Sequence, residues 1–338
     1  MLNIYFYPRI DYKASNAHNP YVLNFMTSLS LRNTITNTHI NKIGVLDFFK
    51  YLSKADIYIF NWIENLSMKR YGKLQVIVFS VFLFIAKIVK KKIVWILHNR
   101  YTHNKSKNRW TDYMFNIMMK HSDLIITHSY GGIDLIKEQY PQCLSKARYI
   151  IHPVQKILSK TLDKEKKYDF LIWGVIQPYK GIIQFLKYVN DSNEMRSLKI
   201  LIVGKCLDQE YKLKLNSYLS EKIIHFDKYY DIEEIASFAD QAKFTLFTYK
   251  PESLLSSGSL MDSIRMGSAI IGPNIGAFKD LSLYSFVKTY NTYDEIIDIY
   301  NNYNYSKDSR INEIENFCYE NSWDLFSEKL YKEVNEIL

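Results

Sequence analysis

Short apolar runs recur along all 338 residues, each closed by a polar or small residue and followed by helically spaced apolar positions. In the first half they are residues 2–7, Asp56–Phe60, Lys92–Leu97, Asp123–Thr127 and Tyr149–Ile151. In the second half they are Tyr168–Trp173, Leu198–Val203, Ile223–Phe226, Phe244–Phe247 and Ala269–Ile271. Runs of this length between loops are the pattern of buried strands. The intervening segments supply helices. Asn19-Pro20 opens one, with Asn as its cap, Pro at the first helical position, and Val22, Phe25, Met26 and Leu29 as its apolar face. Residues 111–121, 131–139, 208–220 and 292–303 also read as helical, as does the segment from Ile182, and Asp231 caps another that runs to Ala239. Near the end Trp323, Phe326, Leu330, Val334 and Ile337 form one stripe. Residues 155–167 are polar, rich in lysine and aperiodic, the composition of a linker. The chain therefore reads as two Rossmann-like, doubly wound α/β domains facing each other, 1–157 and 158–318, followed by a last helix in 319–338.

Composition narrows the partners. Hydrophobic content of 47% suffices for real cores. A formal charge of +9 suits a nucleic acid, an anionic membrane or a phosphorylated small molecule. No aromatic–basic motif accompanies the charge, so nucleic acid is not expected. Cys143, Cys206 and Cys318 are far apart and lack metal-ligand spacing, as reduced thiols of a cytoplasmic protein do. Met1–Tyr7 lacks the basic start of a signal peptide. Leu74–Val89 is apolar, but Lys87 interrupts it and it is shorter than the roughly 20 residues of a spanning helix. It reads as a buried helix of the first domain, with one face resting on a membrane as the alternative. Lys87, Lys90, Lys91, Lys92, Arg100, Lys105, Lys107 and Arg109 concentrate charge nearby. That run is either a solvated face or a contact for an anionic leaflet or a lipid-linked diphosphate.

The strand at Phe244–Phe247 leads through a hydroxyl-rich loop, Pro251 to Ser257, into a helix. Free N–H groups near Ser257, Gly258 and Ser259, backed by the helix dipole, suit a phosphate. Gly258 puts no side chain in its way. The same stretch has a capping reading, with Ser259 as N-cap and Asp262 closing a Ser-x-x-Asp box. One helix end can serve both uses. Other strand ends carry His98-Asn99, with His103 beyond, then His128 and His152. Ends of this kind face the ligand crevice of an open α/β sheet. His98 suits a hydrogen bond to a sugar, or a base if its pKa lies near neutral. The competing reading is a core histidine tied to a backbone carbonyl. His103, His128 and His152 read first as structural. Glu64, after Trp62, either lines a crevice or is a solvated loop carboxylate. The glycine-free loop Pro8–Asn19 is a poor dinucleotide loop and a better wall for a second substrate.

Taken in order, these segments resemble the GT-B glycosyltransferases, in the broad family-four-like group that builds bacterial surface polysaccharides. Trp95–Asn99, with His103, resembles the His-Asn strand end of the acceptor-side domain. Trp173-Gly174 through Lys180-Gly181 is similar to the loop opening the donor-side domain. Ser256–Leu260 through Gly267 resembles the donor phosphate loop and its helix. Tyr319–Trp323 resembles the start of a final helix that crosses back to the first domain. The resemblance implies a metal-independent hexosyltransferase that needs no cofactor. It would move sugar from a nucleotide sugar to a lipid-linked surface glycan at the cytoplasmic membrane face. The implied donor site is Gly174, Lys180, Ser257, Gly258 and Ser259, with Asp262 or Glu252 on the ribose. The implied catalytic pair is His98 and Lys180, and the acceptor side is Asn19, Glu64, Asn99 and His103. Two departures stand out: Leu254 and Val175 occupy positions where many relatives carry a glutamate and an arginine. They keep open an alternative, a catalytically inactive GT-B-like binding subunit of a glycan-synthesis complex.

Overall fold

The computed structural model describes residues 1–8, 20–38, 43–99, 109–158, 166–250, 255–303 and 307–338. It divides into two compact units, Met1–His152 with Trp323–Leu338, and Pro153–Ser322. The segment after His152 belongs to the second unit because its backbone is tied there. Val154 N–H donates to Asn321 O at 2.9 Å and Leu158 N–H to Arg265 O at 2.9 Å. The expected linker 155–167 thus begins as docked chain, and residues 159–165 lie outside the described residues.

The first unit holds a parallel sheet of β1 (Asn3–Tyr7), β2 (Thr34–Ile35), β3 (Ile57–Asn61), β4 (Lys92–Leu97), β5 (Leu124–Thr127) and β6 (Ala147–Tyr149). Their order is β2-β1-β3-β4-β5-β6. β3 and β5 are buried throughout, so their sequences are continuous apolar runs rather than alternating ones. On one face Phe6, Val22, Phe25, Ile59, Val94 and Ile126 pack with Phe326, Leu330 and Val334 of the helix Trp323–Ile337. On the other, Phe48, Phe79 and Phe82 meet the rings of Tyr58 and Phe60. The helix Pro20–Ser30 starts on the expected proline, whereas the strand expected at Tyr149–Ile151 is Ala147–Tyr149. The helix Gly72–Ile88 is not buried as expected: one side packs on the sheet and the other is open. The described residues contain no helix long and apolar enough to cross a membrane.

The second unit holds β7 (Tyr168–Trp173), β8 (Ile200–Val203), β9 (Ile223–Phe226), β10 (Ala242–Leu246), β11 (Ala269–Pro273) and β12 (Val287–Tyr290), all parallel. Their order is β12-β11-β10-β7-β8-β9. The chain winds one way from β7 to β9, then returns to the far side of β7 and winds the other way. β7 and β10 therefore flank the switch point, where an open α/β sheet leaves a crevice at its carboxyl edge. Phe170, Ile172, Phe185, Leu186 and Ile200 are central to the core.

Candidate functional site

Two groups of polar side chains collect at carboxyl edges, one in each unit. The one in the second unit lies at the switch between β7 and β10. β7 ends at Trp173, and Gly174 turns the chain with φ +97°, a conformation that side chains rarely adopt. After a helical turn at Pro178–Lys180, Gly181 takes φ +69° where an added Cβ would stand 2.2 Å from Thr248 O. Only glycine fits that approach. The turn sends the Lys180 side chain back over the strand end. Its Nζ donates to Trp173 O at 2.8 Å, and it would meet a Cβ on Gly174 at 2.7 Å. Ser259 Oγ lies 3.7 Å from that same point. Gly174, Lys180 and Ser259 are thus neighbours, although far apart in sequence.

Lys180 is 4% exposed, and no carboxylate among the described residues pairs with it. Burial alone draws its pKa down from 10.5 to about 7. The ring of Tyr249, past the end of β10, sits 5.8 Å from Nζ, and its hydroxyl faces those of Ser257 and Ser259. The helix Gly258–Arg265 begins here. Its cap is Ser257, which accepts from Leu260 N–H at 3.3 Å, and not Ser259 as the sequence suggested. Asp262 closes no capping box. Its carboxylate accepts from Arg265 Nε at 2.9 Å, and Arg265 in turn donates to Gln155 at 2.9 Å. With Ser257 as the cap, the Ser259 hydroxyl is turned toward Tyr249 and the space at Gly174. Around the Gly258 Cβ position there is open space. A buried lysine that no described carboxylate pairs with, beside a helix N-terminus, has the chemistry to receive an anion. Glu252 lies outside the described residues.

The first unit gathers histidines at the ends of β4, β5 and β6. His98, His128 and His152 are all buried. His98 and His128 have ring centres 5.6 Å apart, and those of His128 and His152 are 5.1 Å apart. Tyr21, from the helix that follows β1, touches each of them. Two proton positions follow from the partners. His128 Nδ1 bonds Ile150 O at 2.8 Å, and a carbonyl only accepts, so the proton is on Nδ1. Its Nε2 then accepts from the Tyr21 hydroxyl at 2.8 Å. Asn61 donates its amide to Tyr7 O at 3.0 Å, so its oxygen accepts from His98 Nε2–H at 3.1 Å. Nδ1 of His98 is left with a lone pair. The carbonyl tie expected of a core His98 is found at His128 instead, while His98 is held by the Asn61 side chain.

Trp62 stacks on His98 at 4.2 Å with a left-handed φ of 51°, a local strain held by its surroundings. Burial, then the neighbouring imidazoles, press the pKa of His98 well below 6.5, and the same causes put His128 at about 3. His98 is consequently a neutral hydrogen-bonding group and a poor base, against the condition set for the base reading. Glu64 is not the solvated loop carboxylate of the alternative reading. It is 3% exposed and accepts from Trp95 Nε1–H at 3.4 Å. Asn99 is half-buried beyond His98, while Asn19 and His103 lie outside the described residues. No metal-holding group of His, Cys, Asp and Glu occurs among the described residues. Sequence reasoning missed Tyr249, Tyr21 and Trp62. Their signal, an aromatic just beyond a strand or at a helix start, is diluted among 28 tyrosines.

Neither the protein-family models nor the curated proteins contain a match to this chain. Solved structures do match it. Anabaena HepE in complex with UDP-glucose superposes with a TM-score of 0.69 at 12% identity, covering 99% of this chain and 100% of that one. A glycosyltransferase from Rickettsia africae gives 0.59 at 16% identity, covering 96% and 83%. AviGT4, a glycosyltransferase of avilamycin A biosynthesis, gives 0.60 at 12% identity, covering 100% and 98%. At such identities the likeness speaks for the fold. The chain has the two-domain α/β fold of these glycosyltransferases, the GT-B fold that its motifs led us to expect.

Proposed function

We propose that this protein is a glycosyltransferase that moves a hexosyl group from a nucleoside-diphosphate sugar to a lipid-linked surface glycan at the cytoplasmic membrane face. The observation that carries the reading is the buried Lys180 amine, unpaired by any described carboxylate, beside Gly174, Ser259 and a helix N-terminus. Cleaving the donor's glycosidic bond leaves negative charge on the diphosphate. Lys180 and the N–H groups of Gly258 and Ser259 are preorganised to receive that charge. They supply what a metal would, so the reading is metal-independent. Gly174 leaves room for a phosphate oxygen beside Nζ. On the acceptor side, the neutral Nδ1 of His98 offers an acceptor to a sugar hydroxyl, with Trp62 as an apolar platform. HepE was solved with UDP-glucose and the pneumococcal GtfA with UDP and GlcNAc, which supports a uridine nucleotide as donor.

The inactive-subunit reading keeps one observation in its favour. Val175, where many relatives carry arginine, leaves an apolar side chain 37% exposed beside the site. One experiment separates the readings. Nucleotide sugars are titrated calorimetrically into the wild type and Lys180→Ala, and the best binder is assayed for donor hydrolysis and transfer. We expect a UDP-sugar to bind, turn over, and lose about a hundredfold or more in affinity with the substitution. Binding without hydrolysis or transfer selects the inactive subunit. No binding by any nucleotide sugar removes both.

A further inference from the structure

The helix Gly72–Ile88 buries Val76, Phe79, Phe82, Leu83 and Ala86, with Phe79 and Phe82 on the rings of Phe60 and Tyr58. On its opposite side Leu74, Ile77, Val81, Phe84 and Ile88 are each between 49% and 64% exposed. Their spacing places them in one stripe along the whole helix. Single exposed apolar residues are ordinary, but a continuous stripe marks an interface. Beside it runs a groove of about 690 Å³, lined by Ile77, Ser80 and Val81 of this helix and by Arg109, Trp110 and Tyr113 of the helix Arg109–His121.

Charge identifies what covers this face. No Asp or Glu occurs between Glu64 and Asp112. Lys69, Arg70 and Lys73 are exposed at one end of the stripe and Lys90 at the other. A second copy would bring two such basic rims together, which opposes self-association. Lys90 adds an independent mark. The helix ends in a Schellman motif: Lys90 N–H donates to Lys87 O at 3.1 Å and Lys91 N–H to Ala86 O at 2.7 Å. Lys90 has φ +57° there, in the position that glycine normally fills. A lysine stands where it strains the backbone and extends the basic end.

We infer that this face lies in the plane of an anionic lipid bilayer. The stripe enters the acyl boundary, Trp110 and Tyr113 sit at headgroup depth, and the basic rim meets lipid phosphates. The inference rests on the surface alone and stands apart from the donor chemistry proposed above. It specifies the membrane contact which that reading requires.

The test is flotation of the full chain with phosphatidylcholine vesicles, with and without phosphatidylglycerol, across a salt series. We expect partition at least about tenfold stronger on the anionic vesicles, falling as salt rises. Ile77→Ser combined with Phe84→Ser should lower it by about tenfold or more at an unchanged Tm, because both side chains are already exposed. Lys90→Gly should raise Tm, because glycine fits the left-handed cap, and still weaken partition. Equal partition on neutral vesicles, or none on either, overturns the proposal. So does a wild-type dimer that the double substitution splits, since the face would then belong to a second copy. UDP-sugar binding measured on the same samples shows separately whether the donor site is sound.

Discussion

The amine of Lys180 bonds the carbonyl of Trp173 at 2.8 Å, one residue before the glycine whose missing side chain leaves space beside it. That placement makes the proposed anion binding a proton-linked event. Burial holds the lysine pKa at about 7 in the unliganded protein. A bound diphosphate favours the ammonium and raises it again. Binding above that pH therefore takes up a proton, and affinity should fall about tenfold per pH unit as pH rises beyond about 7. Calorimetry with UDP at about pH 8, in two buffers of different ionisation heat, should show uptake approaching one proton per UDP bound. Zero uptake would separate Lys180 from the anion.

The same burial costs the empty protein stability. The unfolded lysine titrates near 10.5 and the folded one near 7, so the unfolded chain binds more protons between them. Stability from this group consequently rises with pH across that window, and the full penalty applies below it. Lys180→Met should stabilise the unliganded protein by roughly 1–3 kcal/mol below pH 7, with the gain shrinking toward pH 10.5. Denaturant melts over a pH series read this directly. UDP binding should vanish in the same variant, and a variant that still binds would refute the assignment.

Glycines in the site divide into those the fold needs and one it does not. Gly181→Ala combines a φ of +69° with a Cβ 2.2 Å from Thr248 O. It should destabilise by about 2–3 kcal/mol. Gly258 starts a helix, and its Cβ position has no heavy atom within 4 Å. Gly258→Ala should leave Tm unchanged or slightly higher, since alanine is the better helix former. If phosphate oxygens pack on that backbone, the methyl group blocks them and UDP affinity falls by about tenfold or more. Intact affinity in a stable Gly258→Ala protein would place the diphosphate elsewhere.

Local signals explain what was legible. β4 and β7 begin and end with their apolar runs, because strands covered on both faces have no polar alternation to blur their limits. The cap at Asp231 was readable because its partner, Glu234, lies three residues on and both bonds form. The cap at Ser257 was not, since two serines flank Gly258 and only the backbone path chooses between them. Asp262 looked like the second half of a box until Arg265, one turn on, claimed it. The short edge strands β2 and β12 carry too few buried residues to register. The meeting of Gly174, Lys180 and Ser259 depends on β10 pairing back onto β7, a contact that no local pattern encodes.

Glu64 supplies the last prediction, and its sign is opposite to that of Lys180. It is buried beneath Trp95, and desolvation lifts its pKa from 4.5 to about 7 despite the indole donor. The folded state therefore keeps a proton that the unfolded chain has lost over that interval. Stability falls as pH rises from 4.5 to about 7, and the full penalty persists above it. Glu64→Gln retains an oxygen for Trp95 Nε1–H and removes the ionisation. It should match the wild type below pH 4.5 and exceed it by roughly 1–3 kcal/mol above pH 7. Thermal melts at acid and alkaline pH test the divergence. A variant less stable than wild type at high pH would mean that the ionised carboxylate is itself stabilised in the first unit, in place of being merely tolerated there.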